Sequence, residues 1–243
     1  QKEIEKNPQI KGAELNHLLN LRPRVEKIAV KDVKMRTFIT DDAARDEMVS
    51  HVYDITYDSI NRNTDTLVML DDSIVRGTTL QKSILSILDR LGPKKIVVVS
   101  SAPQIRYPDC YGIDMSKMQD FIAFRALLAL LEVRGLMGKS EYVYQKFKQA
   151  LQEGTAKEKN YVKELYALFT DDELSDKIGE IVRPEHIFSQ VKVIFQTVEG
   201  LNKSCPKNLG DWYFTGNYPT PGGNKVVNKA FVYFVEGRNE RAY

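Results

Sequence analysis

The segment best suited to chemistry is LDDSIVRGTT, Leu70 to Thr79, in which two carboxylates precede a glycine and two hydroxyls. Gly77 lets another molecule approach the backbone closely, and Thr78 and Thr79 offer hydroxyls and N–H groups where a helix is predicted to begin. The partial positive charge of a helix N-terminus favours a bound phosphate. The pattern therefore predicts a phosphate site, although it lacks the G-x-x-x-x-G-K-[ST] form of a Walker A loop.

The acidic pair Asp71 and Asp72 suggests a second ligand group beside the phosphate. Paired carboxylates suit ribose hydroxyls, either directly or through Mg²⁺, which prefers a few carboxylates together with waters and substrate oxygens. A strand followed by two aspartates also occurs in other α/β proteins, including phospho-accepting receiver domains. The pair alone therefore leaves both functions open.

A βαβ unit is predicted to position these residues. Leu67 to Leu70 and Ile96 to Val99 are short apolar runs typical of buried parallel strands. Between them, apolar residues repeat at helical spacing until Gly92 and Pro93 end the helix. The crossover should be right-handed, and ligands collect at the carboxyl ends of such strands. Four polar residues are expected at those ends: Asp71, Asp72, Ser100 and Ser101.

The remaining pattern is mostly helical. Before the βαβ unit we expect a helix at Gly12 to Leu21 and strands at Val25 to Val30 and near Val52 to Thr56. After Asp109 the expected helices are Lys117 to Gly135, Glu141 to Gln152, Glu158 to Phe169, Asp172 to Val182, Pro184 to Gly200 and Asn224 to Val235. A turn-rich loop is expected at Gly210 to Gly223.

Composition excludes several classes of protein. The chain has 243 residues, 28% charged and 42% of the AVILMFWYC group, which is ordinary globular usage. The formal net charge of +2 is too small to indicate nucleic acid or an anionic membrane as a partner. The most apolar window, Phe121 to Gly138, contains charged residues and therefore fails as a membrane span. The sequence starts with Gln1 and has no apolar signal region, so we expect it to begin inside a larger protein.

The two cysteines and three histidines predict neither a disulfide framework nor a metal cluster. Cys110 and Cys205 are too few for four-thiolate ligation, and the histidines are isolated from them in sequence. Free thiols suit a reducing compartment, so a cytoplasmic location is expected.

Four sequence motifs resemble those of a known family. The string LVMLDDSIVRGTT resembles the phosphoribosylpyrophosphate (PRPP) signature of type I phosphoribosyltransferases. Three further motifs accompany it: RTFI at 36–39, SSAPQIRYPDCYGIDM at 100–115 and FTGNYPT at 214–220. The four motifs occur in the order found in amidophosphoribosyltransferases. The resemblance covers about Arg36 to Gly237.

The resemblance implies a fold and an activity. The fold would be α/β, the type I phosphoribosyltransferase fold, with a mainly parallel sheet flanked by helices and a helical C-terminal extension. Residues 1–135 would form the phosphoribosyltransferase core, without its N-terminal part, and residues 136–243 the extension that packs on it. The family is a glycosyltransferase family of purine synthesis and forms homo-oligomers. Ammonia from glutamine displaces pyrophosphate from PRPP and gives 5-phosphoribosylamine.

The resemblance also implies roles for individual residues. Asp71 and Asp72 would contact the ribose diol and Mg²⁺, and the following turn would hold the 5′-phosphate of PRPP or of a nucleotide monophosphate. Arg36 and Thr37 would belong to a catalytic loop that closes over PRPP, with Lys31 and Lys34 adding positive charge. The residues of the phosphate turn are Ser73, Arg76, Gly77, Thr78 and Thr79.

Departures from the family pattern limit what is expected of this chain. No cysteine precedes Cys110, so the catalytic cysteine of the family's glutaminase domain is missing. The family's upstream pyrophosphate loop is not recognisable in residues 1–30. Some members ligate an iron–sulfur cluster through cysteines at positions that here read Asp109 and Gly210 to Tyr213, so no cluster is expected. A non-catalytic sensor of PRPP or nucleotides with the same fold remains the alternative function.

Overall fold

The structure, a computed structural model, describes residues 10–22, 24–25, 29–31, 53–55, 60–109, 115–208 and 210–242. Five strands lie in these ranges: β1 Ala29–Lys31, β2 Tyr53–Ile55, β3 Thr66–Asp71, β4 Lys95–Ser100 and β5 Gln190–Phe195. The α-helices are α1 Gly12–Asn20, α2 Leu85–Asp89, α3 Ile122–Val133, α4 Met137–Gln152, α5 Lys163–Tyr166, α6 Asp171–Val182, α7 Val198–Ser204, α8 Trp212–Thr215 and α9 Pro221–Val235. A π-helical segment, Leu80–Ile84, precedes α2, and a 3₁₀ turn, Met118–Asp120, precedes α3.

The main sheet has three parallel strands in the order β3-β4-β5. The pairing places Asp71, Ser100 and Phe195 side by side at its carboxyl edge. The crossover between β3 and β4 contains the predicted helix, which here begins as a π-helix, a form that is frequent at functional sites. The predicted α/β class, with a parallel sheet, flanking helices and a helical extension, is confirmed.

One apolar core joins the sheet to the C-terminal helices. Ile96 and Val98 of β4 are fully buried, as is Leu127 of α3. Phe124 of α3 meets the rings of Phe231 and Phe234 on α9 edge to face, at centroid distances of 6.3 and 4.9 Å. The opposite sheet face is more open, because Val68 and Leu70 of β3 are 58% and 79% exposed. The division of the chain at residue 135 stays a prediction.

The helix predicted over Pro184 to Gly200 is wrong. The structure has strand β5 at Gln190–Phe195, followed by the short helix α7. Within this segment Val193 is buried while Lys192 and Ile194 are exposed, the alternation of a strand. Parallel pairing with β4, about ninety residues earlier in the chain, stabilises the strand through long-range contacts that local sequence does not reveal.

The helix predicted over Glu158 to Phe169 is mostly wrong, because only α5, Lys163–Tyr166, is α-helical there. The side chain of Asn160 accepts a hydrogen bond from the backbone N–H of Val162, and the Tyr161 N–H donates to Asn228 Oδ1 on α9. Such side-chain bonds compete with helical ones and delay the start of the helix.

The other predicted elements agree more closely with the structure. Helix α1 matches its prediction, and β2 lies inside the predicted strand, whereas β1 is shorter and later than predicted. The turn-rich loop contains α8, and the last helix begins at Pro221 because the Thr220 hydroxyl accepts from the Gly223 N–H as its N-cap. In the part of the chain that the structure describes, no helix is both long and apolar enough to cross a membrane.

Candidate functional site

The two aspartates lie where β3 ends, at the carboxyl edge of the sheet. The backbone N–H of Asp72 donates to Asp71 Oδ1 at 3.0 Å, and that of Ser73 donates to Asp72 Oδ1 at 2.9 Å. Each carboxylate is thus oriented by the next residue in the chain. Asp71 is half-buried and Asp72 is exposed, so both can be reached from solvent.

The segment after β4 holds the backbone of the acidic pair. The N–H and hydroxyl of Ser101 both donate to the Asp71 carbonyl at 2.9 Å, and the Ala102 N–H donates to the Asp72 carbonyl at 3.0 Å. The buried Ser100 hydroxyl donates to the Ala102 carbonyl at 2.8 Å. The predicted gathering of these serines with the aspartates is therefore confirmed: Ser101 bonds to the backbone of the pair, and Ser100 bonds to the segment that follows β4.

The acidic pair has the electrostatics of a cation site. Burial raises the pKa of Asp71, and the hydrogen bond and negative charge of the neighbouring Asp72 carboxylate raise it further, against an opposing bond from the Asp72 backbone. A divalent cation would relieve this repulsion between two carboxylates. Mg²⁺ commonly uses one or two carboxylates plus substrate phosphates, so this donor set fits it. Among the described residues, no group of three or more His, Cys, Asp or Glu side chains is placed to hold a metal ion.

The turn after the acidic pair has a backbone conformation that favours glycine. Gly77 has φ +70°, and a Cβ built on it would lie 2.8 Å from Cγ1 of Val182 on α6. The Gly77 carbonyl accepts from the Gln81 N–H at 3.0 Å, which opens the first helical turn. The N–H groups of Thr78 and Thr79 therefore precede the first intrahelical donor, and both residues are exposed. This is the geometry of an anion-binding helix N-terminus.

Arg76 takes a position that the sequence did not predict. Its guanidinium lies 3.5 Å from the Asp120 carboxylate, before α3, and its side chain is 58% exposed. An ion pair this open is weak, so it competes poorly with a phosphate. A phosphate role for Arg76 stays a prediction.

Arg36 and Thr37, the predicted catalytic loop residues, lie outside the described residues. The same holds for Lys34 and for Cys110. The closing loop therefore stays a prediction, whereas the acidic pair and the turn from Ser73 to Thr79 are brought together at one strand end.

A cavity of about 340 Å³ lies elsewhere, at the carboxyl end of β5. It is lined by Gln104, Arg106, Phe214, the first turns of α6 and residues 192–198, and none of the residues from Asp71 to Thr79 takes part. Gln104 is buried; its oxygen accepts two bonds from Arg106, and its nitrogen donates to the Asp171 carbonyl and the Ser175 hydroxyl. Sequence reasoning missed this cavity because it treated β5 as a helix.

Comparison with known proteins identifies relatives of part of the chain. Amidophosphoribosyltransferase from Haemophilus influenzae is 40% identical over 79 residues, and those from Escherichia coli and Saccharomyces cerevisiae are each 38% identical over 79 residues. The aligned segment covers 32% of this chain and 15% of each relative. About a third of this chain is homologous to amidophosphoribosyltransferases. The predicted resemblance to amidophosphoribosyltransferases is thereby confirmed for that part of the chain.

Comparisons with protein-family models and with solved structures gave the following results. No protein-family model matches the chain. The solved structure of Bacillus subtilis glutamine PRPP amidotransferase, complexed with ADP and GMP, gives a TM-score of 0.43 with 25% identity and covers 79% of this chain and 32% of that one.

Proposed function

We propose that this chain is the phosphoribosyltransferase portion of an amidophosphoribosyltransferase-like enzyme of purine biosynthesis. The observation that carries the proposal is the acidic pair at the end of β3, followed by the positive-φ Gly77 and a helix N-terminus. Homology to amidophosphoribosyltransferases supports it. The proposal includes a cytoplasmic, homo-oligomeric enzyme.

The substrate in this proposal is PRPP. Its ribose hydroxyls would donate to the carboxylates of Asp71 and Asp72, and its 5′-phosphate would accept from the N–H groups and hydroxyls of Thr78 and Thr79. Asp71 and Asp72 would also hold Mg²⁺, which when bound neutralises negative charge on the pyrophosphate leaving group. A nucleoside 5′-monophosphate would use the same phosphate turn.

The reaction needs little acid–base chemistry from the protein. The nitrogen of ammonia forms a bond to C1 of PRPP, the bond from C1 to the pyrophosphate oxygen breaks, and the new amine releases one proton to solvent. Ammonia is already a nucleophile, so the protein contributes by positioning the two reactants and stabilising charge. Arg36 and Thr37 would close over the site and exclude water.

The nitrogen source follows from the cysteines of the chain. Glutamine hydrolysis needs an activated nucleophile with its own pocket, and residues 1–35 contain no cysteine. A glutaminase domain would therefore supply ammonia from outside these 243 residues. This chain by itself is expected to use free ammonia.

The test supplies Mg²⁺ and PRPP with either glutamine or an ammonium salt at alkaline pH and follows pyrophosphate release. We expect release with ammonium and none with glutamine. Release with glutamine alone would overturn the proposed nitrogen source. PRPP binding without release from either donor would support the sensor function instead, and the absence of both binding and release would contradict a PRPP site.

A further inference from the structure

We infer that helix α6, about one hundred residues after the phosphate turn in sequence, positions that turn, with Val182 and Gln81 as positioning residues. The inference rests on the proposed function, because it assumes that Thr78 and Thr79 receive a phosphate. Arg76, Thr78 and Thr79 are exposed, while the residues next to them are held by neighbouring helices.

The first anchor lies just before the exposed residues. The carbonyl of Val75 accepts a hydrogen bond of 2.8 Å from the backbone N–H of Ile122. Ile122 is the first residue of α3, and N–H groups in the first turn of a helix have no intrahelical partner. The bond therefore uses a donor that the helix leaves available, and it fixes where the turn begins.

The second anchor is a packing contact in the middle of the turn. Val182, the last residue of α6, and Ile122 are each 1% exposed and lie against Gly77. A Cβ at position 77 would come within 2.8 Å of Val182 and 3.4 Å of Ile122. The Gly77 backbone is thus held between two buried side chains, which have little room to move in a close-packed core.

The third anchor lies just after the exposed residues. The side-chain nitrogen of Gln81 donates to the carbonyl of Ile181 at 3.0 Å. Carbonyls in the last turn of a helix lack intrahelical donors, so this bond satisfies a group that α6 leaves unpaired. It ties the start of the crossover helix to the end of α6.

The three anchors act at positions 75, 77 and 81, and they bracket the amide donors of Thr78 and Thr79. Phosphate recognition by such donors depends on their being held in place before the ligand arrives. Two of the anchors come from α6. A change at Val182 or Gln81 should therefore alter phosphate binding, although neither residue belongs to the acidic pair or to the predicted phosphate contacts.

The decisive experiment is a size-complementation cycle, with Mg²⁺·PRPP binding measured by calorimetry. Gly77→Ala should weaken binding at least about thirty-fold, because the new methyl group meets Val182 and because alanine is strained at φ +70°. The double variant Gly77→Ala with Val182→Ala should recover at least about five-fold of that loss. Val143→Ala, which removes an equally buried valine from α4, is the matched control and should bind like the parent. A double variant no better than Gly77→Ala would overturn the inference.

Hydrogen exchange of the unliganded protein gives a second readout that requires no PRPP binding. Val182→Ala and Gln81→Ala should each increase exchange at residues 76–81 by about ten-fold, because opening of the turn becomes easier. Val143→Ala should leave exchange in that segment unchanged. Equal exchange in all three variants would overturn the inference. If the parent fails to bind PRPP, the proposed function fails while exchange still decides the role of α6.

Discussion

The carboxyl ends of β3 and β5 lie on either side of β4 at one edge of the sheet, yet they are built differently. At β3 the side chains Asp71 and Asp72 face an open surface and keep oxygens available for a ligand. At β5 there is a cavity of about 340 Å³, but its polar groups are largely used within the protein. Gln104, for example, makes bonds through both its oxygen and its nitrogen.

The segments that follow the two strands explain why the polar groups at β3 are available and those at β5 are not. After β5, the Gln196 side-chain oxygen accepts from the Thr197 N–H, and the Thr197 hydroxyl caps α7 by accepting from Gly200. These polar groups stabilise the backbone after β5. After β3, the Gly77 conformation leaves the Thr78 and Thr79 N–H groups for an outside partner. At this edge of the sheet, the strand end with the cavity (β5) is therefore not the one whose polar groups are available to a ligand (β3).

The largest expected effect comes from removing the negative charge at the end of β3. Asp71→Asn with Asp72→Asn should abolish Mg²⁺·PRPP binding in calorimetry, because neutral amides are poor ligands for Mg²⁺. Circular dichroism should show an unchanged fold. The matched control, Asp171→Asn with Asp172→Asn at the cavity, should bind like the parent. Tight PRPP binding by the first variant would place the ribose and metal elsewhere.

A smaller effect is expected at the phosphate turn. Thr78→Val removes a hydroxyl that, in the proposed function, donates to the phosphate, and a hydrogen bond to a charged group contributes roughly 1.5 to 3 kcal/mol. We expect inhibition by a nucleoside 5′-monophosphate to weaken about ten-fold to a hundred-fold. Thr64→Val, an exposed threonine before β3, is the control. Unchanged inhibition in the first variant would move the phosphate to another part of the molecule.

At the β5 end the expected effect is on stability. Gln104→Leu removes the acceptor that holds Arg106 and should lower the free energy of unfolding by about 1–3 kcal/mol, measured by urea denaturation. PRPP affinity should not change. The exposed Gln145→Leu on α4 should leave both quantities unchanged. A loss of PRPP affinity in Gln104→Leu would show that the cavity takes part in PRPP binding.

The smallest effect concerns the pKa of Asp71. Asp72→Asn removes a negative charge that raises this pKa, so the midpoint of Asp71 should move to lower pH in a carboxyl ¹³C NMR titration. It should stay above the ordinary value because burial remains. Mg²⁺ needs the ionised carboxylate. In the Asp72→Asn variant, Asp71 should therefore stay ionised, and able to bind the metal, down to a lower pH than in the parent. Asp172→Asn should not move the Asp71 midpoint, and an equal shift in both variants would contradict the assigned cause.

The candidate site was predictable because its residues are adjacent in sequence. Asp71 to Thr79 follow one strand and enter one helix, so strand ending, glycine conformation and helix N-terminus are all local properties. The strand β5 was not predictable in this way. Its segment is short and apolar, a pattern that fits a buried helix as well as a strand, and only pairing with β4 distinguishes them.

The amino-acid sequence alone determined which ligand groups this protein could hold. That property depends on the acidic pair, the glycine and the threonines, which lie only a few positions apart. The tertiary structure alone decided that the end of α6 meets Gly77 and that Arg76 pairs with Asp120. These contacts join residues separated by 44 to about 105 positions, and burial in a shared core brings them together. The helix and strand propensities of neighbouring residues carry no information about contacts between residues so far apart in sequence.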